Sequence, residues 1–316
     1  MGYGIYMQLL DDIQDEKDGV LKPITGYENI PGYIRVTGAD FDSKGNAFIV
    51  VSNSETGVYK KPSGGTWMPV EMEFEDFSQD INTGEVIATN QGSIWVSLPN
   101  KGILAFKEEN GSAVREKFFT VRNQYGDVFD EITSIAEDKD GVIWVGTNKG
   151  PVTYSNPEEV FDLDQVVGYQ PSIPRNDGTS YASLLLASEY INDIEIDGGN
   201  RKWFATEKSG AFLIAPNGKK ELSHFSESNS PLFSDNVLTI AVDEVTGEVF
   251  FGTEAGIIGY RDIATEGNDD FSKAYVFPNP VRENFEGDIT ITGLVRDVNV
   301  KITDISGNLV YETIAA

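Results

Sequence analysis

The stretch ITSIAEDKDGVIWVGTNKGPVTY (residues 132–154) decides the fold of this chain. It reads as an apolar strand, a turn of aspartate and glycine, a second strand that carries Trp144, a turn at Gly150, and a third apolar strand. Glycine adopts the positive φ of tight hairpins without strain, and aspartate hydrogen-bonds to the backbone of its own turn. The stretch therefore predicts three consecutive antiparallel strands.

The same layout occurs four more times along the chain. In every copy a Gly or Asn precedes a large aromatic residue by three positions, and another Gly follows that aromatic by six to nine positions. The other copies are DSKGNAFIVVSNSETGVY (42–59), TNQGSIWVSLPNKGILAF (89–106), DGGNRKWFATEKSGAFLI (197–214) and DEVTGEVFFGTEAGIIGY (243–260). The aromatic residues are Phe48, Trp95, Trp144, Trp203 and Phe250.

The spacing of these aromatic residues predicts a β-propeller. Successive aromatics are 47, 49, 59 and 47 residues apart. A period of about 50 residues, with three short strands and a variable fourth, is typical of a propeller blade. We expect each aromatic to pack between neighbouring blades, because large flat side chains fill such interfaces. The fold class is therefore all-β, with five full blades.

The long third spacing comes from an insertion in LDQVVGYQPSIPRNDGTSYASLLLASEY (163–190). It contains the only stretch that predicts a short helix, near Ser180–Ser188. At the N-terminus, GYGIYMQLL (2–10) and DGVLKPITGY (18–27) are typical of the third and fourth strands of a blade. We therefore expect a partial blade before the first full one.

The pattern stops after Tyr260, where an acidic connector begins. The following residues alternate between apolar and polar in DITITG, VNVKITD and NLVYET, which predicts three or four further strands. They either pack on the last blade or form the first part of a β-sandwich. We expect a propeller over residues 1–272 and a partial sandwich over 273–316.

The composition excludes several classes of function. Lys and Arg total 24 and Asp and Glu total 51, a formal charge of −27, which argues against nucleic acid and against anionic membranes. No apolar run approaches the roughly 18 residues that span a bilayer, so we expect no direct membrane insertion. Cysteine is absent, which removes disulfides and thiolate chemistry.

Three resemblances to known families appear in the sequence. Segments such as ITSIAEDKDGVIWVGTNKG resemble the two-component-regulator propeller repeat of Bacteroidetes proteins. The runs PSIPRNDGTSYASLLLASEYINDIEIDGGNRKWFATEKSGAFLI (171–214) and HFSESNSPLFSDNVLTIAVDEVTGEVFFGTEAGIIGYR (224–261) are similar to PorZ-like propeller proteins. The tail, from VFPNPVRENFEGDITITGL (276–294) to VKITDISGNLVYE (300–312), resembles the C-terminal β-sandwich domain of type IX secretion proteins.

The resemblance implies an envelope protein with two propellers, the second seven-bladed, and a terminal sandwich. The family's best-known member assists the sortase complex at the outer membrane and binds an anionic lipopolysaccharide. By comparison, we expect this chain to lack the first propeller, the start of the second, and the Gly-rich closing half of the sandwich. The resemblance implies a location in the periplasm or at the outer-membrane cell surface, although the first residues carry no signal peptide.

Most chemistry-bearing residues are explained by structure. The turn aspartates Asp42, Asp138, Asp197 and Asp243 are expected to cap their own backbone rather than bind calcium, because the ligand pattern of a calcium loop is absent. The tryptophans are expected in the core. The single histidine, His224, has no G-x-S-x-G motif to work with. We predict no catalytic residue, no metal site and no cofactor.

The inserted loop is the candidate binding site. Arg175, Asn176, Asp177 and Gly178 form its polar tip, and Arg201 and Lys202 in the next unit could add to a cationic patch that grips an anionic glycan or a carboxylate. Alternatively, an arginine here pairs with a neighbouring aspartate and fixes the loop.

Three functions are open from the sequence. The first is a non-enzymatic binding and scaffolding module of the cell envelope, which recognises a sortase-complex or secretion-complex protein, or an anionic glycan, through a propeller face. The second is the periplasmic oligosaccharide-sensing propeller of a hybrid two-component regulator. The third, a propeller hydrolase or lyase, requires clustered histidines and carboxylates, and the chain has one histidine.

Overall fold

A computed structural model describes residues 21–22, 24, 34–74, 81–175, 178, 181–262, 264–265, 267–268, 270–282, 284–285, 287, 289–295 and 298–314. Within these residues the fold is all-β, as the repeat predicts. The predicted partial blade at residues 2–27 lies almost entirely outside the described residues. No helix in the described part of the chain is long and apolar enough to cross a membrane.

Each of the five repeat units forms one antiparallel sheet, and we name these sheets blades 1 to 5. Blade 1 contains β1 (Val36–Phe41), β2 (Ala47–Val51), β3 (Val58–Lys61) and β4 (Met68–Pro69). Blade 2 contains β5 (Val86–Ala88), β6 (Ser93–Leu98), β7 (Gly102–Glu109) and β8 (Ser112–Phe119). A hairpin of β9 (Val121–Arg122) and β10 (Val128–Phe129) follows.

Blades 3 to 5 continue the series. Blade 3 contains β11 (Ile132–Glu137), β12 (Ile143–Thr147) and β13 (Gly150–Tyr154), followed by a 3-10 helix at Pro157–Phe161. The insertion forms a hairpin of β14 (Ser172–Pro174) and β15 (Ala182–Leu184). Blade 4 contains β16 (Ile191–Ile196), β17 (Lys202–Thr206), β18 (Ala211–Ile214) and β19 (Glu221–Phe225). Blade 5 contains β20 (Val237–Asp243), β21 (Glu248–Thr253) and β22 (Gly256–Arg261).

The tail forms two small sheets after a 3-10 turn at Phe271–Lys273. One sheet pairs β23 (Tyr275–Phe277) with β24 (Thr290–Thr292), and the other pairs β25 (Asn299–Thr303) with β26 (Leu309–Ile314). The four strands agree with the alternation in the sequence.

The predicted helix near Ser180–Ser188 is wrong. Ala182–Leu184 forms strand β15 and pairs with Ser172–Pro174, and a turn follows it. A nine-residue helix is marginal by itself, because nucleating the first turn costs more than so few hydrogen bonds return. Pairing with a neighbouring strand satisfies the same backbone groups and therefore wins.

The turn chemistry of the repeat is as predicted. Gly45, Gly92, Gly141 and Gly247 adopt φ between 74° and 84°, and Asn200 takes the equivalent place at 57°. Positive φ is the conformation that glycine, and less often asparagine, adopts with little strain. This explains why one copy of the repeat carries Asn where the others carry Gly.

Aromatic residues fill the interfaces between blades. Phe48, Trp95, Trp144 and Trp203 are between 0% and 4% exposed, whereas the equivalent Phe250 is 41% exposed. Each buried aromatic lies in an apolar cluster that combines residues of two neighbouring blades. The first strand of every blade contacts the first strand of the next, so these strands lie innermost.

Candidate functional site

The innermost strands β1, β5, β11, β16 and β20 surround a cavity of about 650 Å³, here named the central cavity. These strands all run the same way, so we name the face where they begin the top and the face where they end the bottom. The cavity lining contains one lysine, Lys139, among the described residues. Its carboxylate-bearing residues are Asp40, Glu85, Glu137, Asp138, Asp193, Glu195 and Glu244.

Several of these polar side chains join one blade to the next. Glu85 of blade 2 accepts the Ile135 backbone N–H of blade 3 at 2.7 Å. Asp193 of blade 4 accepts the Ile240 backbone N–H of blade 5 at 2.8 Å. Between these two interfaces, Ser134 accepts the backbone N–H of Ile194 at 3.1 Å.

These three acceptors occupy the same position of the repeat, two residues before the one that pairs with the aromatic of the second strand. Asp40 makes a comparable bond from blade 1 to the Ala88 N–H of blade 2, at 2.8 Å. Much of the polar chemistry of the central cavity therefore holds the blades together.

The central cavity favours protonated carboxyls. Burial, with the neighbouring charge of Asp193, raises the pKa of Glu85 to about 7. Burial, together with the charges of Asp193, Glu85 and Glu244, raises the pKa of Glu195 to about 8. Like charges close together in a partly desolvated space disfavour ionisation, which explains both directions. A carboxyl that keeps its proton carries no charge, so the cavity is less negative than its number of acidic residues alone indicates.

The turn aspartates cap their own turns on the bottom face. Asp138 Oδ1 accepts the backbone N–H groups of Asp140 and Val142, and its Oδ2 accepts the indole N–H of Trp144. Asp42, Asp197 and Asp243 each accept at least two backbone N–H groups of their own turns. Among the described residues, no group of three or more His, Asp or Glu side chains is arranged to hold a metal ion.

The predicted binding residues lie at opposite ends of blade 4. Arg175 is exposed at the end of β14, and its Nε donates to Ser183 Oγ at 2.9 Å. This hairpin precedes β16, so it lies at the top, whereas Arg201 follows β16 at the bottom. Gly178 is exposed, and Asn176 and Asp177 lie outside the described residues. The structure therefore does not join Arg175 and Arg201 in one patch, and Lys202 cannot contribute to a surface patch because it is 0% exposed.

Arg201 is engaged by two carboxylates. Its guanidinium donates to Asp197 at 2.7 Å and to Asp262 at 2.8 Å, and its side chain is 14% exposed. Burial opposes its charge, but the bonds and charges of the two aspartates raise the pKa of Arg201 above its usual value. The sequence left open whether an arginine in this region pairs with a neighbouring aspartate. Arg201 does so, with Asp197 and Asp262.

His224 has a packing role on the outer strand β19. Its ring stacks on Phe212 with centroids 4.0 Å apart, and its Nε2 donates to the Ser209 carbonyl at 2.5 Å. It does not line the central cavity.

A surface that the sequence reasoning missed lies beside the inserted hairpin. The Gln124 side-chain amide bonds to the backbone of Gln170 twice: its Oε1 accepts the Gln170 N–H at 2.8 Å, and its Nε2 donates to the Gln170 carbonyl at 3.1 Å. The residue after Gln124 is Tyr125, 67% exposed, and the residue before Gln170 is Tyr169, 52% exposed.

The neighbouring hairpin adds Tyr181, 69% exposed, whose carbonyl accepts the Arg175 N–H. We name Tyr125, Tyr169, Tyr181 and Arg175 the tyrosine surface. The signal in the sequence was three tyrosines outside the repeat pattern, close to turn residues.

Two parts of the chain match families of known proteins. Residues 127–149 match the two component regulator propeller, and residues 275–316 match the secretion system C-terminal sorting domain. No curated protein matches the chain.

Solved structures extend the comparison to most of the chain. The chain is similar to PorZ, an essential bacterial surface component of the type IX secretion system of Porphyromonas gingivalis, with a TM-score of 0.66 and 26% identity over 90% of this chain and 40% of PorZ. It shares its fold with the extracellular domain of a one component system of B. thetaiotaomicron, with a TM-score of 0.50 and 14% identity over 72% of this chain and 27% of that one.

The predicted resemblance to PorZ-like propeller proteins of type IX secretion is therefore confirmed. The chain spans less than half the length of both solved structures.

Proposed function

We propose that this PorZ-like chain is a non-enzymatic binding and scaffolding module of the bacterial cell envelope, and that it recognises a protein of the type IX secretion machinery through the tyrosine surface. The similarity to PorZ over 90% of the chain, together with the sorting domain at residues 275–316, carries the proposal. An exported location, at the cell surface or in the periplasm, follows from the same two observations.

The composition of the tyrosine surface supports a protein partner. Tyr125 lies in the β9–β10 hairpin, and Tyr181 and Arg175 lie in the inserted hairpin. Tyr169 lies on the segment before the inserted hairpin, and all four residues are exposed. Tyrosine and arginine are enriched at protein interfaces, because each offers a large contact area together with hydrogen-bonding groups. The mutual bonds of Gln124 and Gln170 hold the loops in place, which lowers the entropy lost on binding.

The acidic lining of the central cavity makes the cavity a poor binding site for an anionic glycan. Seven acidic residues but only one lysine among the described residues line the cavity, so it offers an anion few positively charged partners. An anionic glycan would therefore use the top of the molecule, where Arg175 is exposed, rather than the cavity.

The experiment measures binding of the purified chain to secretion-complex and sortase-complex proteins, and separately to an anionic lipopolysaccharide, by biolayer interferometry. We expect Tyr125→Ala, Tyr181→Ala and Arg175→Ala each to weaken protein binding about fivefold or more, since truncating a hot-spot residue costs about 1 kcal/mol or more. Arg115→Ala is the matched control, because Arg115 is a 43% exposed arginine on the outer strand of blade 2.

The binding results distinguish a protein partner from an anionic glycan and from a neutral oligosaccharide. Binding of lipopolysaccharide that is lost in Arg175→Ala, with no protein binding, would replace the protein partner by a glycan. Binding of neither would remove the main support of the proposal. The sensor alternative predicts saturable binding of a neutral oligosaccharide, and its structural relative supports it at the level of fold alone.

A further inference from the structure

Arg201 departs from the repeat to which it belongs. Two residues before the aromatic, the other four copies carry Asn46, Ser93, Val142 and Glu248. Four blades therefore form without a cation at this position. This indicates that the arginine of blade 4 serves something outside the blade.

The partner outside the blade is the connector that leaves blade 5. Asp262 follows β22, and its carboxylate accepts from the Arg201 guanidinium at 2.8 Å with a side chain only 9% exposed. Asp197, 1% exposed, accepts from the same guanidinium and orients it. The three charges form a buried network between the bottom turn of blade 4 and the start of the connector.

The backbone of the connector is also fitted to these turns. The Asp262 N–H donates to the Gly247 carbonyl at 3.0 Å in the bottom turn of blade 5. A Cβ at Gly247 would approach the Asp262 carbonyl oxygen to 2.8 Å, and a Cβ at Gly199 would lie 3.3 Å from the Ala264 methyl group. The connector thus crosses the bottom turns of two blades at close range.

Further along, the connector is tied to the tail. The Asn268 N–H donates to the Leu294 carbonyl at 2.9 Å, next to strand β24 of the tail. Arg201 therefore contacts the start of the connector, and Asn268, further along the same connector, contacts the tail.

We propose that Arg201 and Asp262 form a latch that holds the C-terminal sorting domain in a fixed orientation against the bottom of the propeller. The latch is a positioning device, and it is independent of any ligand at the tyrosine surface. When it opens, the sorting domain swings on its connector and can be presented to another protein. Asp262 has little exposure, and a shifted connector would separate its carboxylate from Arg201, which would keep only its bond to Asp197. The pair therefore favours one position of the connector.

Because the native chain has no cysteine, two introduced cysteines can be labelled specifically with dyes. Lys208→Cys on blade 4 and Ser306→Cys in the tail, both exposed, carry a donor and an acceptor dye for single-molecule energy transfer. We expect one narrow distribution of transfer efficiency with the latch intact, and a distribution at least twice as wide in Asp262→Asn. Asp262→Glu, which retains the charge, should restore most of the narrow distribution.

Hydrogen exchange gives a second readout. Peptides that cover residues 262–268 should exchange at least tenfold faster in Asp262→Asn. Asp162→Asn is the matched control, because it breaks a more exposed arginine–aspartate pair, Arg115 with Asp162, away from the connector. That control should leave both readouts at the wild-type level.

An unchanged distribution and unchanged exchange in Asp262→Asn would overturn the latch. A lowered melting temperature without a broader distribution would do the same, and would assign Arg201 to bracing blade 4 alone. Arg201→Lys provides a milder variant if Asp262→Asn does not fold. It retains the charge but loses the fork that reaches both aspartates, so it should broaden the distribution to an intermediate width.

Discussion

Glu195 lies among like charges in the central cavity, and its contribution to the stability of the folded protein depends on pH. The pKa of this carboxyl is raised to about 8 in the folded protein, from an ordinary value of 4.5. A raised pKa means that the folded state binds the proton more tightly than the unfolded state. The stability that this proton supplies is fully present below pH 4.5 and is lost as the pH rises through 8.

We therefore expect the melting temperature of the wild-type protein to fall as the pH rises from 5 to 9. In Glu195→Gln the fall should be smaller, and at pH 8.5 this variant should melt about 3 °C or more above the wild type. Differential scanning calorimetry across this range measures both effects. Glu109→Gln, at the exposed end of β7, is the control. Parallel pH profiles for Glu195→Gln and the wild type would contradict the prediction.

Lys202 is a buried cation that replaces an apolar residue of the repeat. It is 0% exposed, and its Nζ donates to the carbonyls of Asn200 and Pro216 and pairs with Asp138 at 2.9 Å. The same ammonium lies 5.4 Å from the centroid of the Trp144 ring. Burial lowers its pKa, and the charge of Asp138 opposes that shift.

Lys202→Met should cost about 3 kcal/mol or more in the free energy of unfolding. The substitution retains most of the volume but leaves a buried aspartate and two carbonyls without their cation, and breaking a buried pair typically costs 3–5 kcal/mol. Urea unfolding measures the loss. Lys208→Met removes an 80% exposed lysine and should change stability by less than about 0.5 kcal/mol. Equal effects of the two substitutions would show that Lys202 is not a structural cation.

At the scale of the element, a comparison of two glycines distinguishes the cost of backbone strain from the cost of a steric clash. Gly92 and Gly210 both adopt positive φ, at 84° and 79°. A Cβ at Gly92 would meet no atom within 4 Å, whereas a Cβ at Gly210 would lie 1.9 Å from the Phe225 carbonyl oxygen on the neighbouring strand β19.

Gly92→Ala should therefore cost only the strain of the left-handed conformation, about 1–2 kcal/mol. Gly210→Ala should cost clearly more, because strands β18 and β19 must separate to admit the methyl group. Chemical unfolding of both variants, with amide exchange of β19, measures the difference. Similar losses in the two variants would mean that this pair of strands adjusts freely.

The strands and turns of the blades were predictable because each unit repeats the same local physics. Phe48, Trp95 and their equivalents mark the second strand, and the glycines before them mark positive φ. The inserted hairpin was mistaken for a helix, because the sequence does not reveal that Ala182–Leu184 finds a partner strand ten residues earlier.

The candidate site was harder to predict than the fold. Glu85, before β5, and Asp193, within β16, look like ordinary acids of a β-sheet, and only the ring arrangement brings them to one cavity. The separation of Arg175 from Arg201 depends on the direction of β16, which the repeat implied but their sequence proximity obscured. The tyrosine surface includes Tyr125 and Tyr169, which are more than 40 positions apart in the sequence. Only tertiary contacts, such as the bonds between Gln124 and Gln170, bring them together.

At the scale of the whole molecule, the blade interfaces should carry much of the stability. Trp203 is 0% exposed between blades 4 and 5 and contacts the rings of Phe225, Phe251 and Tyr260, whereas Phe250 on blade 5 is 41% exposed. Trp203→Ala should cost about 3–5 kcal/mol, and Phe250→Ala about 1 kcal/mol or less. Equilibrium unfolding in urea tests the ratio, and a larger loss for Phe250→Ala would contradict this arrangement.

The acceptors at the blade interfaces also bear on how similar units find their correct neighbours. Repeated units risk docking out of order, a failure typical of repeat proteins. Here Glu85, Ser134 and Asp193 bridge successive interfaces with side chains of three different lengths, two of them carboxylates and one a hydroxyl. A blade that docked beside the wrong neighbour would meet an acceptor of a different length, and the N–H groups of Ile135 or Ile240 would lose the side-chain bonds seen here. The three interfaces thus differ in the side chain that bridges them, and this difference favours docking of each blade beside its own neighbour.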